Sequence, residues 1–388
     1  MGLVVENSFT SLQITLTFLR LVGLWSPDGL FGWWKWLYRC LTIAAFMLVV
    51  GVFIIIQMVD LCSIWGDIQL MTATAFVLFT NITHTTKIIN FLVRASRIKA
   101  IVDNNCRVLR SEDSAVGRKL VKSCNNESFH LYVGYWFITT ITGILWSMSS
   151  LLEADQKLLP MRAWYPFDTT RSPAYQLAFA HQSTALYLSA MMNISKDTVV
   201  ITLIAQCRCR LLLLSQALRS LCDDTHVTHF LLNENQERRV RSQLGKCVRE
   251  HQDVLRTVSL LQDCFSEPTF AQFTVSLVII CVTAFQLVFV STLFSNNILP
   301  VRMLSMACYL LNMLCQVFIY CYEGNELSVE SENISRAAYE FPWYTSSVDT
   351  RRSVLIMMTR CCRIAKLTAA GFTTLSLASF MSVSNVLH

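Results

Sequence analysis

The chain has 388 residues, of which 53% are hydrophobic and only 15% charged. A soluble domain typically carries about 25% charged residues, so the composition argues against an ordinary soluble fold and for a polytopic membrane protein. The net charge of +6 does not mark a nucleic-acid surface, because the basic residues flank apolar runs and form no basic face.

Residues 1–40 lack the basic start, short apolar run and small-residue cleavage site of a signal peptide. Gly23-Leu24-Trp25-Ser26-Pro27 and Trp33-Trp34-Lys35-Trp36 read as an interfacial lead-in, since Trp favours the headgroup region. Seven charge-free apolar stretches follow, over 41–58, 68–86, 131–152, 172–195, 268–293, 303–322 and 367–388. Each approaches the ~20 residues that span a bilayer as helix, and none shows the alternation of a barrel strand. The predicted fold is therefore an all-α membrane protein of seven transmembrane helices. Its parts are an interfacial segment (1–40), spans one to four (41–207) with an outside loop (153–171), a cytosolic helical region (208–267), spans five and six (268–322), a polar arm (323–366) and a final span (367–388). The region 208–267 spaces Leu211, Leu214, Leu218 and Leu221, and later Leu244, Val248, Val254 and Leu261, as amphipathic helices do.

Orientation follows from Lys and Arg. The loops after the second and fourth spans carry nine each, the arm before the last span six and the N-terminal segment three, against four on the opposite side. By the positive-inside rule the N-terminus is cytosolic and the C-terminus extracellular, the reverse of a G-protein-coupled receptor. Fifteen Cys residues lie mostly in apolar runs or cytosolic loops, where thiols stay reduced. Only Cys62 falls in an outside loop, so no loop-to-loop bridge is expected.

No GxSxG, HExxH, paired Cys ligand set or phosphate-cradling Gly loop occurs. We expect no enzyme, no cofactor and no metal. Polar groups inside spans carry a functional hypothesis by default. Lys196-Asp197, and His84 with Lys87, lie near inner span ends and read as solvated, snorkelling groups. His181-Gln182 suits either a pocket wall or a helix-to-helix hydrogen bond. Aromatic residues gather in the outer halves: Phe76, Phe79, Trp146, Tyr175, Phe179, Tyr187, Phe285 and Phe289. They suit an apolar ligand pocket or ordinary packing. In the last span Ser376, Ser379 and Ser382 fall within an arc of about 120°, extended by Asn385. Such a stripe suits a water-facing helix or hydrogen bonds between packed helices.

The C-terminal region carries a dispersed, ordered set: Cys321-Tyr322-Glu323-Gly324-Asn325-Glu326, Glu332-Asn333, Ala338-Tyr339, Trp343-Tyr344, Arg351-Arg352, Met357-Met358-Thr359-Arg360, Leu367-Thr368-Ala369, Gly371-Phe372 and Leu375-Ser376-Leu377 with Phe380. It resembles the C-terminal signature of insect odorant receptors. The loop Leu159-Pro160 through Trp164-Tyr165-Pro166-Phe167-Asp168 resembles the second outside loop of the same family, and Leu24-Trp25-Ser26-Pro27 its N-terminal region. The resemblance implies a ligand-tuning subunit that binds a small volatile organic molecule and, with the co-receptor in a heterotetramer, gates a pore for cations. It implies a pocket among the aromatic residues above with His181, a pore lined by the seventh helix (Ser376, Ser379, Ser382, Asn385), and a subunit anchor including Tyr322, Gly324, Asn325, Tyr339 and Trp343. The setting would be the lipid of the plasma membrane of olfactory sensory neurons. The family's usual run past this point, which forms the outer constriction, is carried onto no residue here. A gustatory receptor channel of the same superfamily is the alternative, and a G-protein-coupled receptor a more distant one.

Overall fold

The computed structural model describes residues 9–25, 32–66, 68–152, 159–161, 163–169, 171–222, 232–292 and 299–384. Apart from one small hairpin, the ordered elements in that range are helical. A short α1 (Thr10–Leu21) precedes α2 (Trp33–Phe46), which runs through a π-helical turn (Met47–Gly51) into α3 (Val52–Ser63). Then come α4 (Ile68–Val93), α5 (Ala95–Arg110), α6 (Ala115–Leu152), α7 (Ala174–Arg219), α8 (Glu234–Thr292), α9 (Leu299–Glu340) and α10 (Val348–Cys361). Strands β1 (Thr368–Ala369) and β2 (Thr373–Thr374) and helix α11 (Leu377–Ser384) complete the chain.

Four helices hold runs long and apolar enough to cross a membrane, within 115–149, 174–222, 234–288 and 303–340. Their surroundings differ. The apolar window of α7 is 89% buried and that of α6 only 17%. α7 is therefore the axis of the bundle, and α6 turns an apolar face outward through Phe137, Ile144 and Met148. Such a face calls for lipid or another chain against it. The lead-in Trp33, Trp34 and Trp36 are exposed, as interfacial anchors are.

The amphipathic spacing of 208–267 resolves into extensions of two long helices. α7 runs on to Arg219, and α8 continues without a break from Glu234 into the apolar run after residue 268. Pro268 lies inside α8. It has no N–H to give, so the Cys264 carbonyl four residues earlier loses its helical partner. Asn90 Nδ2 of α4 (3.1 Å) and Arg94 Nη1 just past its end (2.9 Å) donate to that oxygen instead. The break in the helix ladder thus becomes a tie between helices.

Two buried arginines organise the end of the bundle that carries these extensions, here the arm end. Arg208 makes a two-pronged contact with Glu127 of α6 (3.1 and 2.8 Å), which also accepts from Tyr322 of α9 (2.7 Å). Arg210 joins Glu250 (2.6 Å) and Asp253 (2.6 Å) of α8 to Asn105 of α5 (2.9 Å). A planar, always-charged fork suits such sites.

The expected single helix over 367–388 is corrected. Residues 368–374 form a hairpin with Thr368 opposite Thr374 and Ala369 opposite Thr373, and the helix begins only at Leu377. The β-branched Thr residues favour strand, and Ala370 (φ 49°) and Gly371 (φ 76°) both adopt positive φ at the turn. Gln262 of α8 acts as one more strand, accepting from Thr368 N–H and donating to Thr368 O, both at 2.8 Å. Gly324 is the point of closest approach. A Cβ there would lie 2.7 Å from the Leu375 carbonyl oxygen, so only glycine lets α9 meet the segment leading into α11.

Candidate ligand-binding cavity

At the other end of the bundle, the loop end, α4, α6, α7 and α9 face one another across a cavity of about 110 Å³. That is room for several waters or one small organic molecule. α4 supplies Val77, Thr80, Asn81 and His84, and α6 supplies Tyr135, Thr139, Thr142, Gly143, Trp146 and Ser147. α7 gives Ser183, Leu186, Tyr187, Ser189, Ala190, Asn193 and Ile194; α9 gives Tyr309, Asn312 and Met313; the loop gives Met161. Three- and four-residue steps recur on each helix, so one stripe of each turns inward. The cavity lies between the two apolar cores: Val77, Met161 and Met313 belong to the loop-end core, Tyr135 and Ile194 to the arm-end core.

The wall combines aromatic rings with paired polar groups. Trp146 and Tyr309 meet edge to face at 5.7 Å and 75°, a favourable arrangement. Trp146 Nε1 donates to the Pro160 carbonyl (2.9 Å) and Met161 N–H to Gln182 Oε1 (3.0 Å), which closes the loop over the bundle. Thr80 pairs with Tyr309 (2.8 Å), Thr139 donates to Asn312 (2.8 Å), and Ser189 donates to Asn81 (3.2 Å), which donates to Gln57 (3.1 Å). Ser183 Oγ is buried with no hydrogen-bond partner, and His84 Nε2 lies beside the Asn193 side chain without a hydrogen bond of good geometry.

Below the cavity lies a charged layer. Lys87 Nζ reaches Asp197 (2.6 Å) and Asn193 (3.2 Å). Asp197 also accepts from Tyr320 (2.9 Å), Gln316 (2.5 Å) and Tyr135 (3.4 Å). Lys196 Nζ lies 3.0 Å from His84 Nδ1 and 3.1 Å from the His84 carbonyl. Among the described residues no second carboxylate reaches either lysine. The expectation of solvated, snorkelling groups is overturned: His84, Lys87, Lys196 and Asp197 are all at least nine-tenths buried. The reason is the central position of α7. A side chain on the axial helix, or turned onto it from α4 as His84 and Lys87 are, has no surface within reach, so its charges must be met by neighbours.

The aromatic residues singled out in the sequence divide. Trp146 and Tyr187 line the cavity, Tyr187 at its outward edge with 49% exposure. Phe79 and Phe285 face outward. Tyr175 and Phe179 pair with each other at 6.1 Å away from the cavity wall. His181 meets the Tyr165 hydroxyl (3.1 Å) and the Phe53 ring, so it takes the helix-to-loop role and not that of a wall residue. The side chains of Phe76 and Phe289 lie outside the described residues, as does Asn385. What the aromatic criterion missed was the polar stripe: Thr80, Asn81 and His84 with Thr139 and Thr142, and Ser183, Ser189 and Asn193. Hydrophilic residues at helical spacing inside apolar spans were the signal that marked it.

In the C-terminal region, Tyr322 and Gly324 make the contacts given above, and Asn325 is half-buried. Tyr339 is 69% exposed, and Trp343 packs partly against the arm-end core. Ser376 caps α11: its Oγ accepts from Ser379 N–H (3.3 Å), while Ser379 and Ser382 donate to the carbonyls of Thr374 (2.7 Å) and Ala378 (3.1 Å).

The sequence model of the 7tm odorant receptor family matches residues 67–387. This chain belongs to that family. Odorant receptor Or1 of Anopheles gambiae is 26% identical over 84% of this chain and 80% of its own length. Odorant receptor 63a of Drosophila melanogaster is 28% identical over 58% of this chain and 51% of its length. The odorant receptor coreceptor of Anopheles gambiae is 30% identical over 39% of this chain and 30% of its length. The solved structure of olfactory receptor OR5 from Machilis hrabei in complex with eugenol superposes with a TM-score of 0.80, 19% identity and coverage of 97% of this chain and 95% of that one. The fold is thus that of an insect olfactory receptor, a membrane-spanning receptor and not an enzyme.

Proposed function

We propose that this odorant receptor is a ligand-tuning subunit: it binds a small volatile organic molecule in the cavity and, in a heterotetramer with the co-receptor, gates a non-selective cation channel. The observation that carries the reading is the cavity itself, closed by the Pro160–Met161 loop and bounded by four helices. α9 lines it at Tyr309, Asn312 and Met313 and runs on unbroken to Gly324, where it touches the segment leading into α11. A ligand that binds better when these helices are rearranged would favour the open channel, since only differential affinity shifts such an equilibrium. The tuning role is supported by the extent of similarity: Or1 aligns over 84% of the chain, the coreceptor over 39%.

In this reading the chain crosses the plasma membrane of an olfactory sensory neuron seven times with the N-terminus in the cytosol, which the distribution of Lys and Arg supports. The arm with Tyr322, Gly324, Asn325, Tyr339 and Trp343 meets neighbouring subunits, for which the 69% exposure of Tyr339 leaves a free aromatic face. Ser376, Ser379 and Ser382 stand toward the conduction path. The test is whole-cell current under an odorant panel, with the chain expressed alone and with a co-receptor. An odorant-evoked cation current only in the pair supports the proposal; surface-expressed pairs that stay silent to every volatile contradict it.

A further inference from the structure

The two ring nitrogens of His84 have different surroundings. Lys196 Nζ lies 3.0 Å from Nδ1 and 3.1 Å from the His84 carbonyl oxygen. With Nδ1 accepting from this amine, which also donates to the carbonyl, the ring proton sits on Nε2. Nε2 is buried at the wall of the cavity, beside the Asn193 side chain but with no hydrogen bond of good geometry. Asn193, the adjacent polar group, has its Oδ1 engaged by Lys87 Nζ at 3.2 Å. A buried donor left unpaired is unfavourable, and an acceptor brought by a ligand relieves it.

Two further features select the acceptor. The side-chain carbonyls around the cavity are already engaged: Asn81 Oδ1 by Ser189, Gln57 Oε1 by Asn81, and Asn312 Oδ1 by Thr139. A ligand hydroxyl would have to share one of these oxygens with the donor already on it, or turn to Ser183 Oγ, whereas a carbonyl brings no proton to place. The floor holds two lysines against one aspartate, so a cationic amine meets like charge while the negative end of a carbonyl dipole meets its complement.

Resting on the reading of the cavity as the odorant site, we propose that the receptor is tuned to small neutral carbonyl compounds (ketones, aldehydes and esters). Their oxygen accepts from His84 Nε2–H, and their carbon skeleton packs against Trp146 and Tyr309. His84 is then the specificity-determining residue, with Lys196 the positioning residue that fixes its tautomer.

The test uses sets of identical skeleton, such as acetophenone, 1-phenylethanol, ethylbenzene and 1-phenylethylamine, with aliphatic ketone, aldehyde and ester sets beside them. Dose–response currents are recorded from the chain paired with a co-receptor. Carbonyl members are expected to be the most potent in their sets. His84→Leu should raise their half-effective concentration about tenfold or more and leave the hydrocarbons unshifted, and His84→Gln, which keeps a donor, should recover most of the loss. Gly143→Leu separates this claim from the cavity reading, because a Cβ at Gly143 meets no atom within 4 Å and leucine suits a helix better than glycine. It should weaken all ligand classes together. If Gly143→Leu does so while His84→Leu shifts carbonyls and hydrocarbons equally, the carbonyl proposal fails and the cavity reading stands. If Gly143→Leu changes nothing, both fail. Sets led by alcohols, amines or hydrocarbons, or carbonyls that evoke no current, also overturn the proposal. Surface expression of each variant, measured by an epitope tag, guards against loss through misfolding.

Discussion

Removing the Asp197 carboxylate probes the charged layer most sharply. Asp197 is 1% exposed and accepts from Lys87, Tyr320, Gln316 and Tyr135. In Asp197→Ala, Lys87 keeps only the Asn193 oxygen, and three neutral donors lose an acceptor. Breaking a buried ion pair from one side costs about 3–5 kcal/mol, because the remaining charge stays buried. Replacing both members, Lys87→Met with Asp197→Leu, leaves no orphaned charge and should restore most of that stability. The assay is thermal unfolding of the detergent-purified chain followed by size-exclusion fluorescence. A loss of this size should lower the midpoint on the order of 10 °C, with the double variant well above the single one. If Asp197→Ala melts with the wild type, or the double variant is no better than the single, the carboxylate is not the counter-charge that holds these helices together.

Gly324→Ala forces a methyl against the Leu375 carbonyl. It should cost about 1–3 kcal/mol as overpacking and loosen the hairpin, read as faster hydrogen exchange over 367–376. Asn90→Leu with Arg94→Met strips both donors from the Cys264 carbonyl freed by Pro268. The expected loss is about 1–3 kcal/mol for an orphaned buried acceptor, and Pro268→Ala in the same background, which supplies an N–H, should recover part of it. Glu237 at the start of α8 accepts from Ser347 Oγ (2.5 Å), Ser347 N–H (3.2 Å) and Thr350 Oγ1 (2.7 Å) at the start of α10. Burial pushes its carboxyl up, but these hydrogen bonds outweigh that and hold it below the usual range. A depressed folded value means the clasp contributes fully above the ordinary carboxylate value and is lost as pH falls through the lower, folded one. Fluorescence of the neighbouring Trp343 should therefore change on acidification below about pH 4.5 in wild type, and be flat over that range in Glu237→Ala.

The helices were legible because the bilayer imposes a simple rule: charge-free runs of adequate length become helix. Six of the seven runs do lie in helices. Residues 367–376 escaped that rule because hydropathy does not separate strand from helix, although Thr368, Thr373, Thr374 and Gly371 carried the local signal. The charged layer was misread for a different reason. Lys196-Asp197 sits at an inner span end in the sequence, and only the packing of neighbouring helices around α7 shows that this end is interior. The ligand wall was half legible: Trp146 and Tyr187 came from the aromatic criterion, whereas His84, Asn81 and Thr139 needed the opposite criterion, polarity at helical spacing. An aromatic residue serves lipid and cavity equally well, so Phe79 and Phe285 could not be separated from Trp146 by residue type.

Photolabelling tests the central claim most directly. A diazirine analogue of the most potent volatile would be activated on the chain paired with its co-receptor, and the labelled residues read by peptide mass spectrometry. Labels on Trp146, Tyr187 and Tyr309, suppressed by excess unlabelled volatile, are the predicted result. Suppressible labels confined to Phe79, Phe285 or the Tyr175–Phe179 pair, with none on the cavity wall, would contradict the account.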